Sequence, residues 1–251
     1  MQALVGRSLP DTMPASDLHF RTGQTDEAVA LVKTFHYSHR APVNVQLVGT
    51  FHTAGGLFGD FGPAVAAIFF SIPPIQWGEE VIELVRLVRC EDCLVPLTRL
   101  ISLACSGMKA KGHDLLVSFA DPTHGHHGGV YQAASWNYHG RRRRRIDGVL
   151  WNGKFINQRQ CQHLFNSSLS REAVIERERA KIGGELLPHY DEGKHLYWRA
   201  LSRSGEAKAA RLKLKRMAYP KPDSGTSNAP AEARRSRSLQ PDVGRSESKG
   251  G

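Results

Sequence analysis

The segment between residues 81 and 137 constrains the fold of this chain more than any other. It begins with a mostly apolar run, 81–89, continues with a helical pattern over 96–111, and returns to a second apolar run, 115–120, before a further short helical pattern. Two strands joined by a helix in this way pair in parallel through a right-handed crossover. The segment therefore predicts an α/β (α+β) fold, with a mixed sheet flanked by helices.

The second apolar run ends at Asp121, which is followed by Pro122. Proline has no backbone N–H with which to continue a strand, so the Asp121 carboxylate is expected where the strand leaves the sheet. Open sheets bind ligands at that edge. Tyr131 follows on a helical pattern that runs to Asn137, so an acid and a phenol are expected to face one cleft. A simpler interpretation of Tyr131 is an aromatic side chain that fills the interface between helix and sheet.

The turn between Asp121 and Tyr131 is rich in histidine and glycine. Imidazole is a common metal ligand, although adjacent and alternate histidines do not define a coordination geometry by themselves. The equally simple interpretation is contact between an anion, such as phosphate, and the backbone amides of Gly128 and Gly129 at a helix start. The sequence leaves both interpretations open for the three histidines of this turn, which are His124, His126 and His127.

The stretch from Ser118 to Gly140, SFADPTHGHHGGVYQAASWNYHG, resembles the Mom family of phage DNA-modification proteins. The shared features are SFAD, the His/Gly turn, a YQA-type helix and an aromatic-x-Tyr-x-Gly exit. The segments His36-Tyr37-Ser38 and Leu84-Val85-Arg86-Leu87 also match, so the likeness covers residues 17 to 201. The resemblance implies a fold like that of the GCN5-related acyltransferases. It also implies conversion of adenine in DNA to an acetamido (carbamoylmethyl) derivative on its exocyclic amine, which protects the DNA from host restriction.

The same resemblance implies catalytic roles for Asp121, Tyr131 and His36. Asp121 would accept the amine proton, and Tyr131 would either stack on the extruded base or donate a hydrogen bond to the donor of the added group. A simpler interpretation of His36 is a cation that interacts favourably with the dipole at the C-terminal end of a helix. His39 is the alternative candidate for the functional role. Iron is a further cofactor that the resemblance allows, with His36 and Asp121 as its natural ligands.

GCN5-related acyltransferases hold the pyrophosphate of acyl-CoA at a loop of the type Q/R-x-x-G-x-G/A, which follows the first strand of the parallel pair. The resemblance therefore allows acetyl-CoA as a cofactor, with Leu87, Val88 and Arg89 as its contacts. The corresponding loop here, 89–96, reads RCEDCLVP and contains two acids and no glycine. Carboxylates repel a pyrophosphate and side chains block close backbone approach, so this loop disfavours CoA binding.

The formal net charge of +10 indicates a polyanionic partner. Five consecutive arginines follow the resembling stretch, and we expect them to contact the phosphates or the minor groove of double-stranded DNA: Arg141, Arg142, Arg143, Arg144 and Arg145. No apolar run approaches the ~20 residues that cross a bilayer, and the pattern of a secretory signal is missing. We therefore expect a cytoplasmic protein without a membrane partner, and four cysteines that are free thiols.

Three segments are predicted: a flexible arm over 1–14, an acyltransferase-like catalytic domain over 15–201, and a disordered basic tail over 202–251. The tail contains very few large apolar residues, so it cannot bury enough surface to offset the entropy of ordering. Two other functions stay open. One is an acyl-CoA-dependent N-acetyltransferase of a protein or small-molecule amine, and the other is a DNA-binding accessory protein without catalysis.

Overall fold

The computed structural model describes residues 17–220, apart from residues 24, 56–60, 74–76, 78–80, 92–94, 159 and 183. The predicted arm, Cys93 and residues 221–251 of the predicted tail lie outside the described residues. Within the described part, the strands are β1 (Leu18–Thr22), β2 (Val45–Thr53), β3 (Ala64–Ser71), β4 (Ile82–Arg89), β5 (Leu115–Ala120), β6 (Asn137–Arg141), β7 (Ile146–Trp151), β8 (Lys154–Asn157), β9 (Leu186–Tyr190) and β10 (His195–Ala200). The α-helices are α1 (Thr25–Phe35), α2 (Leu97–Ala110), α3 (Gly129–Ala133), α4 (Arg171–Ile182) and α5 (Arg203–Arg211).

Seven strands form the main sheet, in the order β1-β2-β3-β4-β5-β10-β6. All neighbours in this sheet are antiparallel except β4 and β5, which are parallel and are connected through α2. This parallel pair follows from the strand, helix and strand pattern between residues 81 and 120. The mixed α/β sheet flanked by helices is therefore confirmed.

Helices α1 and α2 cover opposite faces of the main sheet. Alternate residues of a strand point to opposite faces, and on β2 Leu47 packs into the cluster with α2 whereas Val48 packs into the cluster with α1. The interior strand β3 is buried on both faces, which explains its nearly continuous apolar sequence, AVAAIFFS.

A second sheet contains three antiparallel strands in the order β8-β7-β9. One face of this small sheet packs against α4 through Ile146, Val149, Leu186 and Ile175, which belong to one buried cluster. The small sheet lies in the chain between β6 and β10, so the arginine run that precedes β7 joins the two sheets.

The prediction that the chain is disordered from residue 202 onward is wrong for residues 202–219. Ser202 caps α5 by accepting a hydrogen bond from the N–H of Gly205 at 3.1 Å. The indole N–H of Trp198 donates to the carbonyl of Lys215 at 2.8 Å, and the Tyr219 hydroxyl donates to the carbonyl of Trp136 at 2.9 Å. This segment therefore completes the fold by packing on β10.

The helix predicted to carry Tyr131 is shorter than its pattern suggests. It ends at Ala133, because Ser135 adopts a left-handed backbone with φ of 59°, and Asn137 begins β6. Tyr131 therefore lies in a single helical turn that is anchored by the sheet beneath it. No helix in the described ranges is long and apolar enough to cross a bilayer.

Candidate functional site

The parallel strands β4 and β5 pair over a short distance and then part. Their register runs from Ile82 opposite Leu116 to Leu84 opposite Ser118, and both strands continue beyond this point without pairing to each other. The Ser118 hydroxyl donates to the carbonyl of Leu84 at 2.8 Å, which closes the pair where the strands part. The sheet is therefore open between the ends of β4 and β5, and Asp121 follows directly on β5.

Asp121 lies at this opening, where the sequence predicts it. Its Oδ1 accepts a hydrogen bond from the N–H of Thr123 at 3.1 Å, and its Oδ2 lies 3.1 Å from Nζ of Lys194. Burial alone would raise the pKa of Asp121, but the charge and hydrogen bond of Lys194, together with the hydrogen bond from Thr123 and the charge of His124, outweigh burial and the pKa is lowered. The carboxylate is therefore ionised at neutral pH, and 12% of its side chain remains exposed.

The turn after β5 meets the end of α1. The ring of Tyr37 stacks on His124, with centroids 4.1 Å apart and planes inclined by 28°, and it lies 4.3 Å from the ring of His36. Partial burial raises the pKa of the Tyr37 hydroxyl, and the nearby charge of Asp121 raises it further against the opposing charge of Lys194. Tyr37 is 41% exposed, so part of this aromatic stack is accessible to solvent near Asp121.

His36 is part of this cluster as a neutral side chain. Its Nδ1 accepts a hydrogen bond from the N–H of Ser38 at 3.1 Å. Burial, followed by the charge of Arg86 and the neighbouring His126, lowers the pKa of His36 to about 4. A neutral imidazole carries no positive charge to interact with the helix dipole, so the geometry does not favour the interpretation of His36 as a helix-terminal cation. His39 is exposed, and its Nδ1 lies 2.8 Å from the carbonyl of Lys33.

Tyr131 does not share the opening with Asp121, so the expectation of a common cleft is wrong. Its side chain is buried in the main core, with its ring 5.5 Å from Trp136 and 5.3 Å from Tyr197. Its hydroxyl lies 2.8 Å from Oγ of Ser118, and because Ser118 donates its only proton to Leu84, the phenol donates to Ser118. Burial raises the pKa of Tyr131 to about 12. This geometry favours the packing interpretation over stacking on a base.

The histidine and glycine turn is explained by packing rather than by an anion. Gly128 has φ of 85°, and a side chain there would collide with the ring of Tyr197. The Tyr197 hydroxyl donates to the carbonyl of His127 at 2.6 Å and fixes the turn. In the part of the chain that the structure describes, no three His, Cys, Asp or Glu side chains converge to hold a metal ion. Metal ligation by His36 and Asp121, or by the turn, therefore gains no support.

Glu83 is a site residue that the sequence analysis missed. It lies on β4 opposite Val117, and burial raises its pKa against the opposing charges of Lys194, Arg86 and Arg142. The available signal was an acidic residue within a mostly apolar strand. Glu83 therefore adds a second carboxylate to the environment of Lys194.

The residues predicted to contact a cofactor are only partly accessible. Val88 is buried on the α1 face and Leu87 packs against the main core, whereas Arg89 is exposed. Of these three residues, Arg89 therefore has the side chain that is most accessible to a donor molecule. The loop that follows carries the acids Glu91 and Asp92 and no glycine. These residues do not fit a cradle for the pyrophosphate of CoA.

The arginine run adjoins the Asp121 site. The N–H of Arg142 donates to the carbonyl of Lys194 at 2.9 Å, and its guanidinium lies 5.5 Å from the centroid of the Phe119 ring on β5. Burial lowers the pKa of Arg142, and so does the nearby Arg145. This backbone contact ties the arginine run to the lysine that holds Asp121.

Most of the other arginines of the run contact the loop between β9 and β10. Arg141 pairs with Glu192 at 3.2 Å, and Nε of Arg144 donates to the carbonyl of Asp191 at 3.1 Å. Arg143 is exposed and forms no hydrogen bond or ion pair with the described residues. An open cavity of about 650 Å³ is lined by Arg141 to Arg144 and Glu192. The run thus presents a positive surface on the open side of the site.

One comparison with known proteins identifies a family. The model of the Mom protein family matches residues 17–221. No curated protein matches the sequence. Similar solved structures include an acetyltransferase from Bacillus subtilis in complex with CoA, which is 11% identical, covers 74% of this chain and 99% of its own, and gives a TM-score of 0.43. The ribosomal-protein-S18-alanine N-acetyltransferase from Escherichia coli is 10% identical over 75% of this chain and 97% of its own, with a TM-score of 0.42.

Proposed function

Because the chain belongs to the Mom protein family, we propose that it modifies adenine in DNA by attaching a carbamoylmethyl group to the exocyclic amine. The observation that carries the proposal is the ionised carboxylate of Asp121, which is held by Lys194 at the opening between β4 and β5, beside the arginine run. Modified adenine would no longer be recognised by restriction enzymes of the host. The DNA of the phage would thereby be protected.

The chemical problem is the weak nucleophilicity of the exocyclic nitrogen, whose lone pair is delocalised into the adenine ring. As this nitrogen bonds to the carbon of the donor, the leaving group of the donor departs with the electron pair of its bond to that carbon, and the nitrogen becomes cationic and therefore strongly acidic. A carboxylate with a lowered pKa is a sufficient base for such a proton, and Asp121 remains ionised to accept it. Before reaction, the same carboxylate can accept a hydrogen bond from the amine and orient it.

The adenine must leave the base stack to reach Asp121. The stack of His36, Tyr37 and His124 is the aromatic surface next to Asp121, and because 41% of Tyr37 is exposed, the base would contact the accessible edge of the Tyr37 ring. The neutral state of His36 keeps positive charge out of this stack. Tyr37 would thus contact the base in place of Tyr131, to which the sequence analysis gave this role.

The arginine run would hold the DNA backbone next to the extruded base. Arg143 offers a free cation to a phosphate, and Arg142 connects the run to Lys194. Phosphate contacts of this kind position the duplex without reading its sequence. Selection of the target base would then depend on the residues at the opening between β4 and β5, around Asp121.

Expression of the protein with a plasmid tests the proposal. The DNA is digested to nucleosides, whose masses are measured by mass spectrometry. A new deoxyadenosine that carries one carbamoylmethyl group in place of a hydrogen is expected. Asp121→Asn should abolish this product while salt-dependent DNA binding is kept, and Asp26→Asn, in the exposed first turn of α1, is the matched control. Unmodified adenosine from the wild-type protein would overturn the proposal. Consumption of acetyl-CoA with unmodified DNA would indicate the acetyltransferase alternative instead.

A further inference from the structure

Arg142 differs from the rest of the arginine run in where its side chain lies. Within the run 141–145 it is half-buried, whereas the other four arginines are exposed. Its guanidinium lies 5.5 Å from the centroid of the Phe119 ring and 5.7 Å from that of the Trp77 ring. The two ring centroids are 6.2 Å apart, and both side chains are partly buried. Arg142 is therefore turned toward the main sheet, unlike its neighbours in the run.

The strand register places Arg142 in one row with Asp121. At the start of β10, next to His195, this strand lies between the ends of β5 and β6. Lys194 at this level is joined to Asp121 by the ion pair of 3.1 Å on one side and to Arg142 by the backbone hydrogen bond of 2.9 Å on the other. Side chains in one row across a sheet point to the same face. The carboxylate and the guanidinium therefore share one face, with Lys194 between them.

The guanidinium of Arg142 has no anionic partner among the described residues. It forms no ion pair with them and donates no hydrogen bond to them. The charge of Glu83 opposes the effects of burial and of Arg145, which lower the pKa of Arg142, but the two side chains are not paired. The indole N–H of Trp77 also has no acceptor in the described ranges. A partly desolvated cation without an anion costs free energy, which contact with aromatic rings offsets only in part. The arrangement therefore has positive charge and donors but lacks an acceptor.

The proposed reaction creates negative charge that a cation beside Asp121 can stabilise. The adenine nitrogen bonds to the methylene carbon of the donor, the bond from this carbon to the leaving group breaks, and the leaving group keeps the electron pair. The amine proton goes to Asp121. The Cα atoms of Asp121 and Arg142 are separated by two strand spacings, about 10 Å, and Arg142 lines the open cavity of about 650 Å³. A small donor can therefore reach both side chains.

We propose that Arg142 binds the anionic leaving group of a small carbamoylmethyl donor, while the exposed arginines of the run hold the DNA backbone. The inference rests on the proposed function for the identity of the reaction. A planar guanidinium donates two parallel hydrogen bonds to a carboxylate or a phosphate, and a cation already in place stabilises the charge as it develops. Lys194 is less suited to this role because it is paired with Asp121. The row thus receives the proton at one end and the leaving group at the other.

Comparison of Arg142→Gln with Arg143→Gln separates donor binding from DNA binding. Arg142→Gln should slow the accumulation of modified deoxyadenosine in plasmid DNA after induction by roughly 10-fold or more, because charge-assisted hydrogen bonds are lost. Its affinity for duplex DNA should keep the wild-type dependence on salt. Arg143→Gln, at the exposed neighbouring position, is the matched control and should instead reduce the salt slope by about one. Arg142→Met keeps an apolar stem over the two rings and should be as slow as Arg142→Gln, whereas Arg142→Lys should recover part of the rate.

Thermal denaturation without DNA tests the anion site independently of catalysis. Inorganic phosphate and acetate are the probes, added at constant ionic strength, and at least one of them should raise the melting temperature of the wild-type protein and of Arg143→Gln by more than that of Arg142→Gln. A salt slope that falls by about one in Arg142→Gln would overturn the proposal, because the side chain would then bind a DNA phosphate. A wild-type rate in Arg142→Met would also overturn it, because the side chain would then only pack against the rings.

The two proposals can fail separately. If the wild-type protein produces no modified adenine but the anion protects it more than it protects Arg142→Gln, the proposed function fails and the anion site of Arg142 stands. If the wild-type protein modifies adenine, and Arg142→Gln and Arg143→Gln show equal protection by both anions and equal rates, the proposed function stands and this inference fails.

Discussion

Nζ of Lys194, on the loop between β9 and β10, lies 3.1 Å from Oδ2 of Asp121 at the end of β5. The same lysine contributes opposing charge to Glu83 and Tyr37, and its carbonyl accepts the N–H of Arg142. A single residue thus connects the carboxylate, the aromatic stack and the arginine run. The charge and hydrogen bond of Lys194 are the largest of the contributions that lower the pKa of Asp121, and burial acts in the opposite direction.

Replacing Lys194 should therefore change the pH dependence of modification. In Lys194→Met the burial of Asp121 is no longer opposed by the lysine, so the pKa of the carboxyl rises. The carboxylate therefore becomes protonated at a higher pH than in the wild-type protein, and the acid limb of the pH–rate profile shifts to higher pH. The measurement is the yield of modified adenosine across pH. Lys109→Met, at the exposed end of α2, is the control. An acid limb at the same pH in Lys194→Met and in the wild-type protein would show that Lys194 does not lower the pKa of the catalytic carboxylate.

Tyr131→Phe should cost stability but leave modification intact. The substitution removes one buried hydrogen bond, while Ser118 keeps its bond to Leu84. The expected loss in the free energy of unfolding is about 1 kcal/mol, measured by urea denaturation. The yield of modified adenosine should match the wild type at a temperature where both proteins are folded. Loss of product with unchanged stability would restore the catalytic role that the sequence analysis assigned to this phenol.

Much of the fold could be predicted because it is encoded locally. The apolar runs and the amphipathic helix between residues 81 and 120 specify the parallel pair, and Pro122 fixes the place of Asp121 at the end of β5. The partner of Asp121 could not be predicted in this way. Lys194 reaches it only because β10 pairs with β5, and such a long-range pairing leaves no local pattern in the sequence.

The two corrected predictions failed for different physical reasons. Helical periodicity after Gly129 suggested an open flank for Tyr131, but the helix is one turn long and the tertiary packing of Trp136 and Tyr197 determines where the ring lies. The composition after residue 201 suggested disorder. However, a few apolar side chains are enough to hold this segment on the fold, because they pack against the apolar surface of Trp198. Ala209 is one of them.

The stability of the protein should fall as the pH falls from 6.5 to 4. An unfolded histidine has a pKa near 6.5, whereas that of His36 is lowered to about 4 by burial and by Arg86. In this window the unfolded chain binds a proton that folded His36 does not, so acid favours unfolding. The stability that neutral His36 provides is complete above pH 6.5 and is lost as the pH falls through 4.

His36→Gln should reduce this pH dependence. Urea unfolding of the variant at the two ends of the window is expected to give a smaller difference in stability than in the wild-type protein. The control is His39→Gln, which removes an exposed histidine from the same turn. An equal difference in His36→Gln and the wild type would show that other groups cause the acid sensitivity.

Truncation after residue 201 should destabilise the main sheet, whereas truncation after residue 221 should not. The shorter chain loses Ala209 from the buried cluster around Trp198, together with Leu212 and Leu214, which pack against it, and the hydrogen bond from Trp198 to Lys215. Loss of these contacts should lower the free energy of unfolding by about 3 kcal/mol or more, measured by thermal and urea denaturation. The chain that ends at 221 should keep the wild-type midpoint and almost the wild-type salt slope of DNA binding, because the removed segment 222–251 carries five Lys or Arg and four Asp or Glu side chains, a net charge of +1. Equal stability of the two truncated chains would show that α5 is dispensable to the fold, and that the boundary at residue 201 was correct.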